Sequence, residues 1–290
     1  MKVSGFTFIR NGVKYDYPFI ESIRSILPIC DEVVVAVGRS DDHTLEMIEK
    51  INNPKIKIIE TVWDETLREG GRVLADETNK ALNAISADSH WAFYVQADEV
   101  FHEQDLEAIR QAMIRYKDDK RVEGLLFRHV NFFGSYDYVA DSHKWVKDEI
   151  RIIRNDKNIR SWKDAMSFRN GEKVLYVKKI DATIYHYGWV KDPRTQMEKR
   201  KEFEKLWHDD AWVEKNVAVA DEFDYQHIDV LSEFNGTHPA VMLDRIERVN
   251  WKFSFNPVKA MRVSLRIRFL NFVYRHTGWN IGQFKNYKEI

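Results

Sequence analysis

Cysteine is nearly missing from this chain of 290 residues. Cys30 stands alone, so no internal disulfide can form and no cysteine-rich zinc site can be built. A cytosolic address is the simplest reading of that scarcity. Long apolar runs are missing as well. The first residues break too soon at polar and charged positions to serve as a secretory signal. No run of about 18 uncharged apolar residues offers a membrane-crossing helix. Net charge is close to absent: 45 basic against 46 acidic residues leaves −1, which removes any chain-wide reason to expect nucleic-acid binding. Neither an internal repeat nor a low-complexity segment is visible.

Aromatic residues, in contrast, are plentiful. With 9 Trp, 12 Tyr and 17 Phe the chain can bury large areas, which excludes wholesale disorder. The length suits one large domain, or one domain with an appendage. Charge is unevenly placed. Nine basic residues and no acid lie between Arg248 and Lys288, so the body of the chain is acidic and its end basic and aromatic.

Periodicity orders the first 120 residues as alternating strands and helices. Strands are expected at Val3–Ile9, Glu32–Val37, Lys55–Thr61 and Trp91–Val95. Helices are expected at Tyr17–Leu27, Thr44–Ile51, Arg72–Ile85 and Gln104–Tyr116. The β-branched run after Glu32 suits a strand buried on both faces, and the alternation implies a parallel sheet covered by helices. After Val122 strands dominate, at 124–133, 149–153 and 174–186. A polar helix follows at Pro193–Trp207, capped by Asp192 and Pro193, and residues 210–290 read as mainly helical.

Ligands of open α/β sheets bind beyond the carboxyl ends of the strands. There this chain places Arg10 and Asn11, then Gly38, Arg39, Ser40 and Asp41, then Arg72, then Gln96, Asp98 and Glu99. A rim of carboxylates and arginines fits a phosphorylated ligand held with a divalent cation. The strongest local signal is the apolar strand from Trp91 running into Asp98-Glu99. Strand alternation puts Gln96 and Asp98 on one side and Glu99 on the other. Asp98 is then either a ligand or the cap of a helix beginning near Glu103.

That segment resembles the strand ending in Asp-x-Asp of the family-2 glycosyltransferases, with the GT-A fold. Other pieces are similar in the same order: Ser4 to Asn11, the strand and turn Val33 to Thr44 with Gly38-Arg39-Ser40-Asp41, and the helix with Asn79-Lys80-Ala81-Leu82. The stretch Lys147 to Arg154 resembles a strand of lipopolysaccharide- and polysaccharide-type bacterial transferases. The resemblance implies a GT-A-like, Rossmann-type mixed sheet sandwiched by helices over residues 1–190, with a helical extension over 191–290. It implies a nucleotide-sugar donor, a saccharide or lipid-linked acceptor, and Mn²⁺ or Mg²⁺ held by Asp98, with Glu99 and His186 assisting. Arg10, Asn11, Gly38, Asp41, Arg72 and Gln96 fall at donor-binding positions. Three departures stand out, the first being Ala36 where many members carry a base- or ribose-binding Asp at the end of the second strand. Gln96 occupies the place of the first acid of the metal motif, and the His-Glu pair expected after Arg154 is missing.

An inverting transferase needs a carboxylate to deprotonate the acceptor hydroxyl. Asp164 is the first candidate, followed by Asp148 and Glu149. Near the end, Met261, Leu265, Phe269 and Phe272 fall on one helical face with Lys259 and Arg266 off it. Such a helix over 252–276 suits peripheral contact with an anionic membrane, at the inner face if the protein is cytoplasmic. A helix packed on the catalytic domain is the plainer reading. Two rivals to glycosyl transfer remain: nucleotidyl transfer, for which Arg10-Asn-Gly-Val-Lys14 is a poor phosphate loop, and a binding module that has lost its metal site.

Overall fold

Apolar, β-branched runs build the centre of the sheet, and amphipathic helices cover it. The computed structural model describes residues 1–290 except 68, 218, 219, 227, 254, 256–264, 278–280, 283 and 284, and the side chains of 69 and 275. The first elements are β1 (Val3–Ile9), α1 (Phe19–Ile26), β2 (Glu32–Gly38), α2 (Thr44–Glu49), β3 (Ile56–Thr61), α3 (Arg72–Asn83) and β4 (Trp91–Tyr94). These strands are parallel, in the order β3-β2-β1-β4. Every residue of β2 is buried, as its uninterrupted β-branched run predicts. Alternation sorts its side chains: Val33, Val35 and Val37 pack with Ile23 and Ile26 of α1, while Val34 and Ala36 pack with Ala81 and Leu82 of α3.

The rhythm then changes as expected. The chain continues through β5 (Glu99–Phe101), α4 (Leu106–Tyr116), β6 (Gly124–Phe133), β7 (Ser135–Ala140), β8 (Asp148–Arg154), β9 (Ile159–Trp162), β10 (Ser167–Asn170) and β11 (Lys173–Trp189). β8 joins β4 antiparallel, β6 joins β8 antiparallel, and β11 runs parallel to β6. The sheet is therefore mixed, with helices on both faces. The antiparallel entry of β8 has a consequence for the site: the beginning of β8 lies beside the carboxyl end of β4.

The last hundred residues depart from the expectation. They include α5 (Pro193–Glu204), α6 (Asp210–Asn216), β12 (Leu231–Glu233), α7 (Leu243–Glu247), α8 (Leu265–Thr277) and β13 (Tyr287–Glu289). The expected mainly helical extension thus contributes two strands. β12 pairs with β7, and β13 adds to β11. Strands of three residues are too short to display a period of two, so only their distant partners define them. α5 keeps its expected start: the Asp192 side chain accepts from the N–H of Arg194, and Pro193 opens the helix. α7 is tied to α1 through Arg245, whose guanidinium reaches Asp16 at 2.5 Å and Glu21 at 3.3 Å.

On α8, Leu265, Phe269 and Phe272 are 81%, 61% and 58% exposed, while Asn271 is buried and accepts from the N–H of His143 at 2.8 Å. The remaining member of that expected face, Met261, and Lys259 off it lie outside the described residues. Among the described residues no helix is long and apolar enough to cross a membrane.

Cys30 sits in the core beside β1 and α1, and burial pushes its thiol well above the ordinary value. Native protein should therefore leave a chromogenic disulfide reagent unreacted, with labelling appearing only along the urea unfolding curve. Fast stoichiometric labelling without denaturant would contradict this packing.

Candidate active site

A cavity of about 850 Å³ opens where the carboxyl ends of β1, β4, β6 and β11 meet the beginning of β8. Its size suits a nucleotide-sized organic ligand. Phe8, Arg10, Asn11 and Trp63 form one wall, with the turn that carries Asp164 packed beside it through Ala165, Gln96 and Asp98 the floor, and Glu149 and Arg151 another side. Lys199 and Arg200 of α5 enter from the last third of the chain.

The β1 side is held by short-range geometry. Asn11 adopts a left-handed backbone (φ 53°), its N–H donates to Ser40 Oγ, and its side chain accepts from the N–H of Asp41. The tips of β1 and β2 are thereby fixed together. Gly38 carries no side chain because a Cβ there would lie 2.4 Å from Trp63 Nε1. Trp63 therefore brings the Nε1–Cδ1 edge of its indole against the end of β2, with the Arg10 guanidinium over its ring at 5.4 Å. Arg10, Asn11 and Gln96 line the cavity, and Gly38 stands against Trp63, which lines it too. Two expected donor ligands lie elsewhere. Asp41 is exposed and paired with Lys14 at 2.8 Å, and Arg72 points to solvent at the start of α3, outside the lining.

Beneath the floor lies a buried ion pair. Arg151 grips Glu99 with two parallel bonds, Nε to Oε2 at 2.7 Å and Nη2 to Oε1 at 2.6 Å. Neither side chain is more than 3% exposed. His129 approaches the same carboxylate at 3.3 Å. Burial drives its imidazole down to about 4 against the pull of Glu99, so it is neutral and donates a hydrogen bond. Burial alone would raise Glu99, but Arg151 and His129 hold it well below the usual carboxylate range. Glu99 is therefore committed to Arg151, and its expected part in metal binding is not realised in this arrangement.

Asp98 is neither a helix cap nor one of a cluster of metal ligands. His102 caps the following turn instead, accepting from the N–H of Gln104. The Asp98 carboxylate meets Lys199 Nζ at 3.2 Å and His186 Nε2 at 3.6 Å. His186 in turn is oriented by Asn131, whose Oδ1 lies 3.1 Å from Nδ1. Burial opposes the charge on Asp98, but Lys199 and His186 hold its carboxyl well below the usual range. Gly188 makes this closeness possible, since a Cβ there would fall 2.5 Å from His186 Nε2 and 2.6 Å from Asp98 Oδ2. Among the described residues no group of three His, Cys, Asp or Glu side chains is placed to share a metal ion. Gln96 adds no charge, and its side-chain N–H donates to Ala165 O. A divalent ion on Asp98 would also sit beside the Lys199 ammonium, a repulsion of several kcal/mol at about 4 Å in an effective dielectric near 20. The donor set therefore fits Mn²⁺ or Mg²⁺ poorly.

Of the three expected catalytic acids, the structure brings two together. Asp148 points away from the cavity to Lys179 at 2.6 Å, because strand alternation puts it opposite Glu149. Glu149 lies 3.5 Å from Arg151 Nη1 and is only 14% exposed. Burial raises its carboxyl to about 8, and Glu99 and Asp164 add to that against the opposing charge of Arg151. Asp164 sits in the β9–β10 hairpin, where burial likewise raises its pKa. Its neighbours Lys163 and Ala165 both adopt left-handed backbones, φ 53° and 61°. Two such non-glycine residues cost on the order of 1–3 kcal/mol each, a strain often found beside functional groups. Lys199, Tyr17 and Arg151 carry no expected site role in the sequence, while Trp63 belongs to the rim only as the residue that follows the third strand. Of the first three only Arg151 left a signal there: it shares a strand face with Glu149 by simple alternation.

The raised Glu149 makes stability depend on pH. Between its unfolded value near 4.5 and its folded value near 8, the folded protein holds a proton that the unfolded chain releases. The contribution of this group is fully present below 4.5 and is lost as pH rises to about 8, at up to about 1.4 kcal/mol per pH unit. Glu149→Gln, which imitates the protonated form, should gain stability over wild type progressively from pH 5 to pH 8 (about 1.4 kcal/mol per unit at most). Urea titrations across that range showing a constant difference would refute the assignment.

No family model matches this sequence, and no curated protein does. The solved structures similar to it include TarS of S. aureus, with 19% identity and a TM-score of 0.42, covering 76% of this chain and 41% of that one. The TarS 1–349 structure in complex with UDP-GlcNAc has 18% identity and a TM-score of 0.41, covering 76% of this chain and 68% of that one. A mannosyltransferase from Pyrobaculum calidifontis in complex with GDP-Man and Mn²⁺ has 18% identity and a TM-score of 0.33, covering 43% of this chain and 34% of that one. These likenesses are distant, and the chemistry has to be read from the chain's own cavity.

Proposed function

We propose that the chain is a GT-A-like glycosyltransferase, moving a sugar with inversion from a nucleotide-sugar donor to a saccharide or lipid-linked acceptor. The observation that carries this reading is the meeting of two carboxyl groups of raised pKa, Glu149 and Asp164, inside one cavity at the strand ends. Neighbouring carboxyls whose environments differ divide acid and base roles between them. Asp164 is the base: it takes the proton of the acceptor hydroxyl as that oxygen attacks the anomeric carbon. The bond from carbon to diphosphate breaks, and the nucleoside diphosphate leaves with its electron pair. Glu149 keeps its proton at neutral pH and donates a hydrogen bond that orients the acceptor. On the other wall, Phe8 and Trp63 offer aromatic faces to the base, and Arg10 offers charge to the phosphates.

The activity is tested first by melting the protein in a panel of nucleotide sugars, since a ligand of the native state raises Tm by mass action. With a productive donor and acceptor, Asp164→Asn should lower kcat by about 10²- to 10⁴-fold while donor affinity stays close to wild type. The pH profile should rise as Asp164 ionises and fall as Glu149 loses its proton near pH 8. Glu149→Gln should keep turnover and lose the alkaline fall. An inactive Glu149→Gln beside an active Asp164→Asn would move the base to Glu149. Wild-type turnover in both would end the reading.

The same reading gives the acceptor a place. The exposed Leu265, Phe269 and Phe272 of α8, in a stretch that is basic throughout, suit an anionic lipid surface carrying a lipid-linked acceptor. The protein should sediment with vesicles containing phosphatidylglycerol and not with pure phosphatidylcholine. A variant with Leu265, Phe269 and Phe272 changed to Ser that still sediments would refute this contact.

A further inference from the structure

We infer that Lys199 takes the place of a divalent cation in this site: its ammonium, anchored on Asp98, receives the diphosphate of the donor, and donor binding needs no metal. The inference rests on the nucleotide-sugar reading above and adds the group that neutralises the leaving diphosphate.

Four observations converge. Lys199 Nζ stands on the acid that ends the β4 segment, 3.2 Å from Asp98 Oδ2, and donates also to Gly188 O at 3.0 Å. It lies over the Tyr17 ring, 4.5 Å from the centroid, and it lines the cavity. An ammonium held by a carboxylate, a carbonyl and an aromatic face is fixed in position before any ligand arrives. Of the other candidate metal groups, Glu99 is committed to Arg151, His186 is turned to Asn131 and Asp98, and Gln96, whose side-chain N–H donates to Ala165 O, has only a neutral oxygen to offer. Gly188 closes the argument on geometry. The space that a single methyl would fill is taken up by the close approach of Asp98, the acid that holds Lys199, and His186.

The chemistry matches. Cleavage of the bond to the sugar leaves negative charge on the diphosphate oxygens, and a fixed cation at that point stabilises the charge as it develops. Lysine serves phosphate as a point charge. Arg200 beside it on α5 and Arg10 across the cavity supply further positive charge to the same ligand.

Calorimetric titration of the full chain with UDP and with GDP, each in excess EDTA and in millimolar Mn²⁺, tests this. Wild type should bind one of the two with the same affinity in both conditions. Lys199→Met should lose affinity about tenfold or more, as expected for a charged hydrogen-bonding partner. That variant leaves Asp98 unpaired, so the double variant Asp98→Asn with Lys199→Met, which removes both charges together, is titrated beside it and should bind as weakly. Binding that appears only with Mn²⁺ overturns the inference and leaves the glycosyltransferase reading standing. Metal-free binding that survives at wild-type strength in the double variant also overturns it. Binding of neither nucleotide in either condition removes both.

Discussion

The arrangement hangs on the buried Glu99–Arg151 pair. Burying two charges is costly, and the return comes only where geometry is good and the remaining polar atoms are satisfied. Here the fork is bidentate, Arg151 also donates to Ile150 O, and the N–H of Gln96 donates to Glu99 Oε2. Removing one partner from such a pair typically costs about 3–5 kcal/mol, because the other charge stays behind. The pair clamps the start of β5, five residues beyond β4, to β8, the strand that joins β4 by long-range pairing. Two cavity residues inherit their positions from that clamp. Asp98 precedes Glu99, and Glu149 shares a strand face with Arg151.

Charge in the site is rationed by these attachments. Arg151 is committed to Glu99 first, so its hold on Glu149 is weak, at 3.5 Å, and Glu149 lies in the field of Glu99 and Asp164. One carboxylate is kept ionised and structural, and its neighbour is kept protonated and available. Asp98 is ionised by a separate cation from a separate helix. Of three acids within one cavity and its floor, two are thus ionised and one protonated, each according to which cation reaches it.

Much of the parallel half was legible in the sequence. The β-branched run from Glu32 had to be buried on both faces, and the helices flanking it carried clean apolar spacing, so a parallel sheet covered by helices, with its cavity at the strand ends, followed; the order of the strands did not. The adjacent acids Asp98 and Glu99 were visible too, as was the pair Glu149 and Asp164 among the candidate bases. Their partners were not. Nothing local distinguishes Lys199 from Lys201 or Lys205 on the same polar helix. Its meaning comes from a contact across 101 positions. β12 and β13 were hidden for the same reason, since three-residue strands are defined by distant hydrogen bonds and not by their own period. Asp41 and Arg72 belonged to turn and helix-start sequences that pointed to the rim, yet their side chains pair with Lys14 or face solvent.

The distance between Asp98 and Lys199 along the chain has a meaning in time. A ribosome adding about 5–20 residues each second makes the acid roughly 5–20 s before its cation. When that interval begins, β1 to β4 and Asp98 have been synthesised and α5 has not. The nascent chain passes through a stage at which the acid exists and its cation does not, and α5 is the piece that ends it. A boundary drawn at residue 190 separates segments of chain. It does not separate the parts of this site, which belongs to both.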